Sequence, residues 1–283
     1  MPDHSPYRRR AALVAPGSDE RKALKALHSG ADEVVLDLED AVTSANKDLA
    51  RDLVCRLVRE NPREGAVSIR VNGLGTAWFR DDIAACARLT GLTSVVLPKT
   101  ETVQDLLTVA DALGGTDIGV QALVETPPGI RNVEDIAGAT DRLVSLIIGY
   151  ADLGAALGRG RSTTPQQWLA VQDRVLVAAR SAGIAAIDGP FLGIADDEPF
   201  RLSCTWTADL GFDGKWVIHP AQTDTATASF TPSNDAVDHA RWVLDALREA
   251  EERGAGAAQL DGHMLDEAVA VAARRTLTRV GEL

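Results

Sequence analysis

The sequence lacks a basic surplus, a disulfide framework and a long apolar run. Its 41 acidic and 29 basic side chains give a formal net charge of −12, which disfavours nucleic acids and anionic membranes as partners. Three cysteines without a Cys-x-x-Cys pair suit a reducing compartment. No apolar run approaches the ~18 residues of a membrane span. No apolar signal-peptide segment follows residues 8–10 (RRR), so we expect a cytoplasmic protein.

Signatures of several enzyme classes are also missing. No glycine-rich dinucleotide fingerprint follows the first predicted strand, which disfavours a Rossmann fold. The histidines and cysteines form no cluster with the spacing of zinc ligands. No repeat of solenoid type is visible.

Strand-like and helical patterns alternate along the chain, which indicates βαβ units around a parallel sheet. The predicted strands span residues 11–15, 33–37, 66–71, 94–97, 120–124, 143–150, 185–188 and 215–218. The predicted helices span residues 20–28, 45–59, 78–89, 103–113, 167–181 and 200–209, and Ser18 is the expected cap of the first. Eight strands favour a closed barrel, which takes about 250 residues. We therefore predict an α/β fold: a (β/α)8 TIM barrel in residues 1–233 with a C-terminal helical extension.

The extension, residues 234–283, has its own helical pattern. Apolar side chains at helical spacing predict a helix over residues 235–253, and a last helix is predicted over 267–277. Small residues at 254–258 (GAGAA) form a hinge between the two helices. A helix on a flexible hinge is free to pack on a neighbouring subunit. The alternative is a lid on its own barrel.

Two carboxylates follow the most apolar predicted strands. Glu125 ends the strand 120–124, and Asp152 follows the strand that begins at Leu143. Because neighbouring parallel strands finish on the same side, both side chains are expected at one rim of the barrel. Two carboxylates with room for water and substrate oxygens form a site for a hard cation such as Mg²⁺. The alternative is that both are acids that start or cap helices.

Other polar residues are predicted at the same rim, where the active face of a barrel lies. They are Asp37, Glu39, Asp40, Arg70, Asn72, Lys99, Asp188 and His219. The set holds carboxylates and one arginine but no Ser–His or Cys–His nucleophile. It therefore indicates metal-assisted chemistry on an anion.

Each of these rim residues has two readings. The planar fork of Arg70 suits a substrate carboxylate, and an internal salt bridge with Glu39 or Asp40 is the alternative. Those two acids either orient Arg70 and the metal's water molecules or simply start a helix. Lys99 either steers an anion or is a solvated loop residue. His219 is more typical of a structural hydrogen-bonding residue than of a ligand.

At these positions the sequence resembles the citrate lyase β-subunit-like family, which includes the malyl-CoA lyases and belongs to the HpcH/HpaI aldolase superfamily. The matching motifs are VAPGS (14–18), VLDLEDAV (35–42), IRVNG (69–73), VLPK (96–99), LVET (123–126), GYAD (149–152), IDGP (187–190), GFDGKWVIHPAQ (211–222), FTPS (230–233) and GHMLD (262–266). They span nearly the whole chain in the expected order.

The resemblance implies residue roles. Glu125 and Asp152 would bind Mg²⁺, and Arg70 would hold the carboxylate of a 2-oxo acid such as glyoxylate or oxaloacetate. Glu39 and Asp40 would support Arg70 and the metal's water molecules.

The resemblance also implies how coenzyme A and a second subunit take part. Lys25, Val217 and Ile218 match positions that contact coenzyme A. Asp266 matches a catalytic carboxylate that reaches into a neighbour's active site in a trimer, so we expect a homo-oligomer (a trimer or hexamer).

The activity implied is Mg²⁺-dependent cleavage or formation of a 3-hydroxyacyl-CoA thioester such as malyl-CoA or citryl-CoA. The products of cleavage would be acetyl-CoA or propionyl-CoA and a 2-oxo acid, and hydrolysis of the thioester is a variant outcome. The chain departs from some relatives at Val14, where they have an aromatic residue, at Asp19, where they have arginine, and at Ala151, where they have glutamate.

Two other functions stay open. One is a coenzyme A-independent aldolase acting on 2-oxo acids. It is disfavoured because residues 39–41 (EDA) stand where such enzymes typically place a catalytic histidine. The other is a non-catalytic subunit that binds an acyl carrier protein.

Overall fold

The computed structural model describes residues 7–160, 164–254, 258–260 and 263–282. Its strands are β1 Ala11–Pro16, β2 Glu33–Asp37, β3 Ala66–Arg70, β4 Ser94–Leu97, β5 Gly119–Val124, β6 Leu143–Ile148, β7 Ala185–Asp188 and β8 Gly214–Val217. All pair in parallel in sequence order, and β8 closes on β1. The predicted (β/α)8 barrel is therefore confirmed.

Helices connect the strands. They are α1 Glu20–Leu27, α2 Lys47–Glu60, α3 Phe79–Cys86, α4 Val103–Leu113, α5 Pro127–Arg131, α6 Val133–Ala137, α7 Tyr150–Ala156, α8 Pro165–Ala182, α9 Glu198–Leu210 and α10 Thr223–Ser229. Short 3₁₀ turns occupy Ser44–Asn46 and Pro220–Gln222. Helix α5 begins at Pro127, where residues 127–129 (PPG) predict a helix start, and helices α6, α7 and α10 go beyond the predicted set.

Two local predictions were wrong. Asp19, not Ser18, caps α1, because its carboxylate accepts the Lys22 N–H at 3.0 Å. The sixth strand ends at Ile148 rather than at residue 150, and Tyr150 begins α7. Asp152 consequently lies in the first turn of a short helix rather than at the end of a strand.

The barrel interior forms an apolar floor beneath the rim. Its side chains are Ala12, Val35, Val96, Leu123, Ile147, Ile187 and Trp216, all at most 3% exposed. A larger apolar layer packs between the strands and the surrounding helices. Because side chains alternate along a strand, an inward Val35 places Asp37 inward at the rim, and an inward Leu123 does the same for Glu125.

The chain divides into two compact units, residues 1–230 and 231–283, whereas the sequence places the boundary after residue 233. The second unit contains α11 Asn234–Glu252, β9 Ala258–Leu260, β10 His263–Leu265 and α12 Glu267–Val280. The two strands form an antiparallel pair, and α11 packs against α12 around Val243 and Leu277. Most of the predicted hinge, residues 255–257, lies outside the described residues, and packing of this unit on a neighbouring subunit stays a prediction.

In the part of the chain that the structure describes, no helix has the length and apolar character needed to cross a membrane.

Candidate active site

Arg70 is held at the rim by two carboxylates. Its Nε and Nη2 donate to the two oxygens of Asp37 at 2.6 and 2.5 Å, and its Nη1 lies 2.9 Å from Glu39 Oε2. Burial alone lowers the pKa of this guanidinium, but the charges of Asp37 and Glu39 outweigh burial and raise it. The expected salt bridge with Glu39 is present, and the additional partner is Asp37 rather than Asp40. Two of the five N–H donors serve Asp37, so others remain for a ligand.

Asp37 also shapes the loop that follows β2. Its carboxylate accepts the backbone N–H groups of Glu39 at 2.8 Å and Ala41 at 3.0 Å. The buried Lys47 ammonium donates to the carbonyls of Leu38 and Glu39 at 2.7 and 2.6 Å. These bonds fix the backbone that carries Glu39 beside Arg70.

Lys99 lies among four carboxylates. Its ammonium bonds Glu39 and lies 3.5 Å from Asp152 Oδ2 and 3.9 Å from oxygens of Asp40 and Glu125. Its backbone N–H donates to Glu125 Oε1 at 2.9 Å. The structure thus brings together Glu39, Asp40, Glu125 and Asp152 around one cation, which lies in an exposed turn but is ion-paired.

Glu125 is buried, with only 3% of the residue exposed. Burial raises the pKa of its carboxyl to about 8, although the nearby Lys99 ammonium acts in the opposite direction. Thr126, not Glu125, caps the following α5. Asp152 is not the cap of α7 either, and 41% of its side chain is exposed.

Gly149 makes room for Glu125. A Cβ atom at position 149 would overlap the Glu125 side chain. Tyr150, the next residue, donates to Asp188 Oδ1 at 2.6 Å, and Gln172 Nε2 donates to the Tyr150 hydroxyl at 2.7 Å. Asp188 is 1% exposed and forms an ion pair with Lys215. It therefore supports α7 through Tyr150 and is not available to bind a metal ion.

The donor chemistry of the cluster fits a hard divalent cation. Only carboxylate oxygens surround the Lys99 ammonium, which stands in for a positive ion. Among the described residues no group of three or more His, Cys, Asp or Glu side chains is arranged to hold a metal ion. Mg²⁺ is usually held by one or two carboxylates together with water and substrate. The carboxylates expected to bind it, those of Glu125 and Asp152, both lie beside the Lys99 ammonium, and their role as metal ligands stays a prediction.

The remaining predicted site residues make none of these contacts. Lys25 is exposed on α1, and Val217 is buried at the end of β8. Ile218 is half-buried, and its N–H donates to Gln222 Oε1 at 3.2 Å. His219 Nδ1 accepts the Ala221 N–H at 3.2 Å, in agreement with a structural role. Asp266 belongs to the second unit, where it caps α12.

Sequence reasoning placed Asp37 at the rim but gave it no role, and it missed Lys47. Asp37 and Arg70 end adjacent strands and are direct partners in the β2–β3 register. Lys47 begins α2, an unfavourable position for a cation beside the positive end of the helix dipole. That misfit was a signal of a specific role.

A family model for the HpcH/HpaI aldolase/citrate lyase family matches residues 10–220. The chain belongs to this family. It is 36% identical over 280 residues to a (3S)-malyl-CoA thioesterase of Cereibacter sphaeroides, covering 98% of this chain and 96% of that protein. It is 32% identical to the citrate lyase subunit beta of Leuconostoc mesenteroides, with 95% and 92% covered.

A solved structure is similar over nearly the whole length. The crystal structure of the protein CitE from Mycobacterium tuberculosis, in complex with magnesium, acetoacetate and coenzyme A, superimposes with a TM-score of 0.78. It is 32% identical, and the match covers 97% of this chain and 99% of that one. The resemblance inferred from the motifs is therefore confirmed.

Gly149→Ala tests the close approach to Glu125. The added methyl group overlaps that side chain, so we expect a loss of about 1–3 kcal/mol of unfolding free energy, the usual cost of overpacking. The measurement is urea unfolding of the metal-free protein. Gly73→Ala is the control, because nothing lies within 4 Å of its new Cβ. Equal stability of the two variants would contradict the packing argument.

The raised pKa of Glu125 predicts a pH dependence of stability. The folded protein keeps a proton up to about pH 8 that the unfolded chain releases near its ordinary value of 4.5. The stability that Glu125 contributes is therefore present below pH 4.5 and lost as the pH rises to about 8. We expect Glu125→Gln, which stays neutral, to gain stability relative to the wild type across this interval in the presence of chelator.

Thermal unfolding of both proteins at several pH values measures the difference. Glu134→Gln, at a glutamate with a 66% exposed side chain, is the control and should run parallel to the wild type. If Glu125→Gln also runs parallel, Glu125 ionises like an ordinary glutamate.

Proposed function

We propose that this protein is a Mg²⁺-dependent carbon–carbon lyase acting on a 3-hydroxyacyl-CoA thioester such as malyl-CoA or citryl-CoA. Its products would be acetyl-CoA or propionyl-CoA and a 2-oxo acid. The observation that carries the proposal is that two features lie on one rim. Arg70 is held there by Glu39, and the carboxylates of Glu125 and Asp152 lie there around the Lys99 ammonium. The relatives named for malyl-CoA and citrate, and the relative bound to magnesium and coenzyme A, support it.

Glu125 and Asp152 would hold the metal. Bound Mg²⁺ supplies Lewis-acid polarisation of substrate oxygens. Arg70 binds the carboxylate that ends up on the 2-oxo acid, with the N–H groups that Asp37 and Glu39 leave available. Because those two acids fix the plane of the guanidinium, its fork is organised before the substrate binds.

The remaining step is proton transfer at carbon. In cleavage the hydroxyl group gives up its proton to water and its oxygen becomes the carbonyl of the 2-oxo acid. The bond between that carbon and the carbon next to the thioester breaks, and the electron pair stays on the latter. That carbon then takes up a proton, which we assign to Asp266 of a neighbouring subunit in a trimer. Asp266 Oδ1 accepts the N–H groups of Ala268 and Val269 at 3.0 and 3.3 Å, which leaves Oδ2 for the proton.

Coenzyme A would reach the rim past α1 and the end of β8. We assign its contacts to Lys25, Val217 and Ile218. Hydrolysis of the same thioester, the reaction named for the Cereibacter sphaeroides relative, is the second candidate activity. The products separate the two reactions, because hydrolysis of malyl-CoA gives malate and free coenzyme A, whereas cleavage gives acetyl-CoA and glyoxylate.

Metal dependence is tested with malyl-CoA and citryl-CoA as substrates. We expect acetyl-CoA release in the presence of Mg²⁺ and none with excess chelator. Glu125→Ala removes a metal ligand and should lower turnover by at least about a thousandfold, since an entire cation-stabilised step is lost. Asp111→Ala, at an exposed acid on α4, is the control and should keep full activity.

Two results would contradict the lyase assignment. Chelator-resistant turnover, or full activity of Glu125→Ala, would remove the metal from the reaction. No turnover of either thioester, together with a stable complex with an acyl carrier protein, would favour the non-catalytic subunit.

Asp266→Asn tests the catalytic carboxylate without removing the helix cap. Asparagine caps helices about as well as aspartate does, so the second unit should stay folded. We expect at least about a hundredfold loss of kcat, the usual worth of a general acid or base, with unchanged Mg²⁺ affinity. Circular dichroism checks the fold, and Ser233→Asn, a cap exchange at α11, is the control. Full activity of Asp266→Asn would leave the second unit with a structural role alone.

A further inference from the structure

Lys99 has a backbone conformation that a lysine rarely adopts. Among the described residues it is the one non-glycine residue with a positive φ, at +51°. This left-handed conformation costs an L-residue free energy that a glycine would not lose. Such outliers persist where the surrounding structure requires them, most often at functional sites. Here the conformation is required by a hydrogen bond, because it directs the Lys99 N–H to Glu125 Oε1, 2.9 Å away.

The Lys99 side chain lies where a metal ion would be shared. Its ammonium is 3.5 Å from Asp152 and 3.9 Å from Glu125, the two carboxylates assigned to Mg²⁺. A dication bound by both acids would therefore meet a positive charge at contact distance. Like charges at that separation repel by several times the thermal energy unless water intervenes. The ammonium and Mg²⁺ are thus alternative occupants.

The other charges nearby explain why Glu125 and Asp152 need a cation beside them. Arg70 is paired with Asp37 and Glu39, and the Lys47 ammonium is bonded to backbone carbonyls. Glu125 and Asp152 have Lys99 as their close cationic contact in the described contacts. Without it, Asp152 and, once ionised, Glu125 would lose the cation that compensates their charge beside an apolar floor.

We propose that Lys99 is a tethered cation that keeps the metal ligands in place and gives way to Mg²⁺. Its side chain is 42% exposed, so it has a path to solvent when the metal enters. Its backbone N–H stays on Glu125 in both states and positions that carboxylate. Lys99 is accordingly a positioning residue whose charge competes with the metal. The inference rests on the metal site of the proposed function.

Lys99→Gln tests the effect of the Lys99 charge apart from the effect of its backbone conformation. Glutamine has a similar reach and no advantage at positive φ, so the substitution removes the charge and leaves the backbone demand unchanged. We expect Mg²⁺ to bind at least about tenfold more tightly than to the wild type, because the competing cation is gone. We also expect the metal-free variant to melt at a lower temperature, and the rise in melting temperature with Mg²⁺ to be larger.

The measurement is isothermal titration of the full chain with MgCl₂, without substrate and at one pH. Lys22→Gln is the matched control: it removes an exposed cation on α1 whose ion-pair partner is Asp19, and its affinity should equal that of the wild type. Lys99→Asn serves if the glutamine variant does not fold, because asparagine tolerates the left-handed conformation.

Each outcome decides between the proposals. Unchanged or weaker Mg²⁺ affinity in the Lys99 variants, with the wild type binding, overturns the tethered-cation role and leaves the metal site standing. Absence of Mg²⁺ binding in both folded wild type and variants, up to millimolar metal, overturns the metal site and this inference with it. Tighter binding, with a lower melting temperature before metal is added, supports both.

Discussion

The crowding of carboxylates over an apolar floor is the constraint on which the rest of the rim depends. Val35, Leu123 and Trp216 close the barrel below, so charges just above them are poorly hydrated. A carboxylate in such surroundings must be protonated, paired or bound to a metal. The rim uses the second solution for Asp37 and Glu39, which pair with Arg70. Glu125 combines the first two, because burial raises the pKa of its carboxyl to about 8 and the Lys99 ammonium lies 3.9 Å away.

Asp37 connects the fold to the chemistry. It sits opposite Arg70 in the β2–β3 register, and its two oxygens each accept one guanidinium and one backbone N–H. The same carboxylate therefore orients the cation that would bind substrate and the loop that carries Glu39. An active site built in this way needs little reorganisation when charge develops, which is the main electrostatic advantage of a protein over water.

The sequence was informative where the signal is local. The second, fourth and seventh strands have their predicted bounds, because short apolar runs end at turn-forming residues. Helix α4 likewise has its predicted bounds, from its Thr102 capping box to Gly114. The fold class and the convergence of Glu125 with Asp152 follow from the alternation of such elements.

Prediction from the sequence failed where contacts between distant residues decide the local conformation. The sixth strand was predicted two residues too long, up to Tyr150, because Gly149-Tyr-Ala carries no helix signal. Tyr150, the first residue of α7, is held by Asp188 and Gln172 from distant elements. The position of Lys99 depends on a positive φ that no propensity favours for lysine. Both residues lie beside the candidate metal ligands, where local preference and the folded structure disagree.

The two reactions named for relatives place different demands on one rim. In malyl-CoA the carboxylate, the hydroxyl-bearing carbon, the cleavable bond and the thioester follow one another along a short chain. Under the proposed function, a substrate held by Arg70 at its carboxylate would present the same atoms to Glu125 and Asp152 in lysis and in hydrolysis. What differs is whether a proton donor meets the carbon or water meets the thioester. That choice falls to groups beyond the anchored end, and Asp266 belongs to the unit outside the barrel. On the proposal that Asp266 is the proton donor, the second unit therefore bears on which of the two reactions follows.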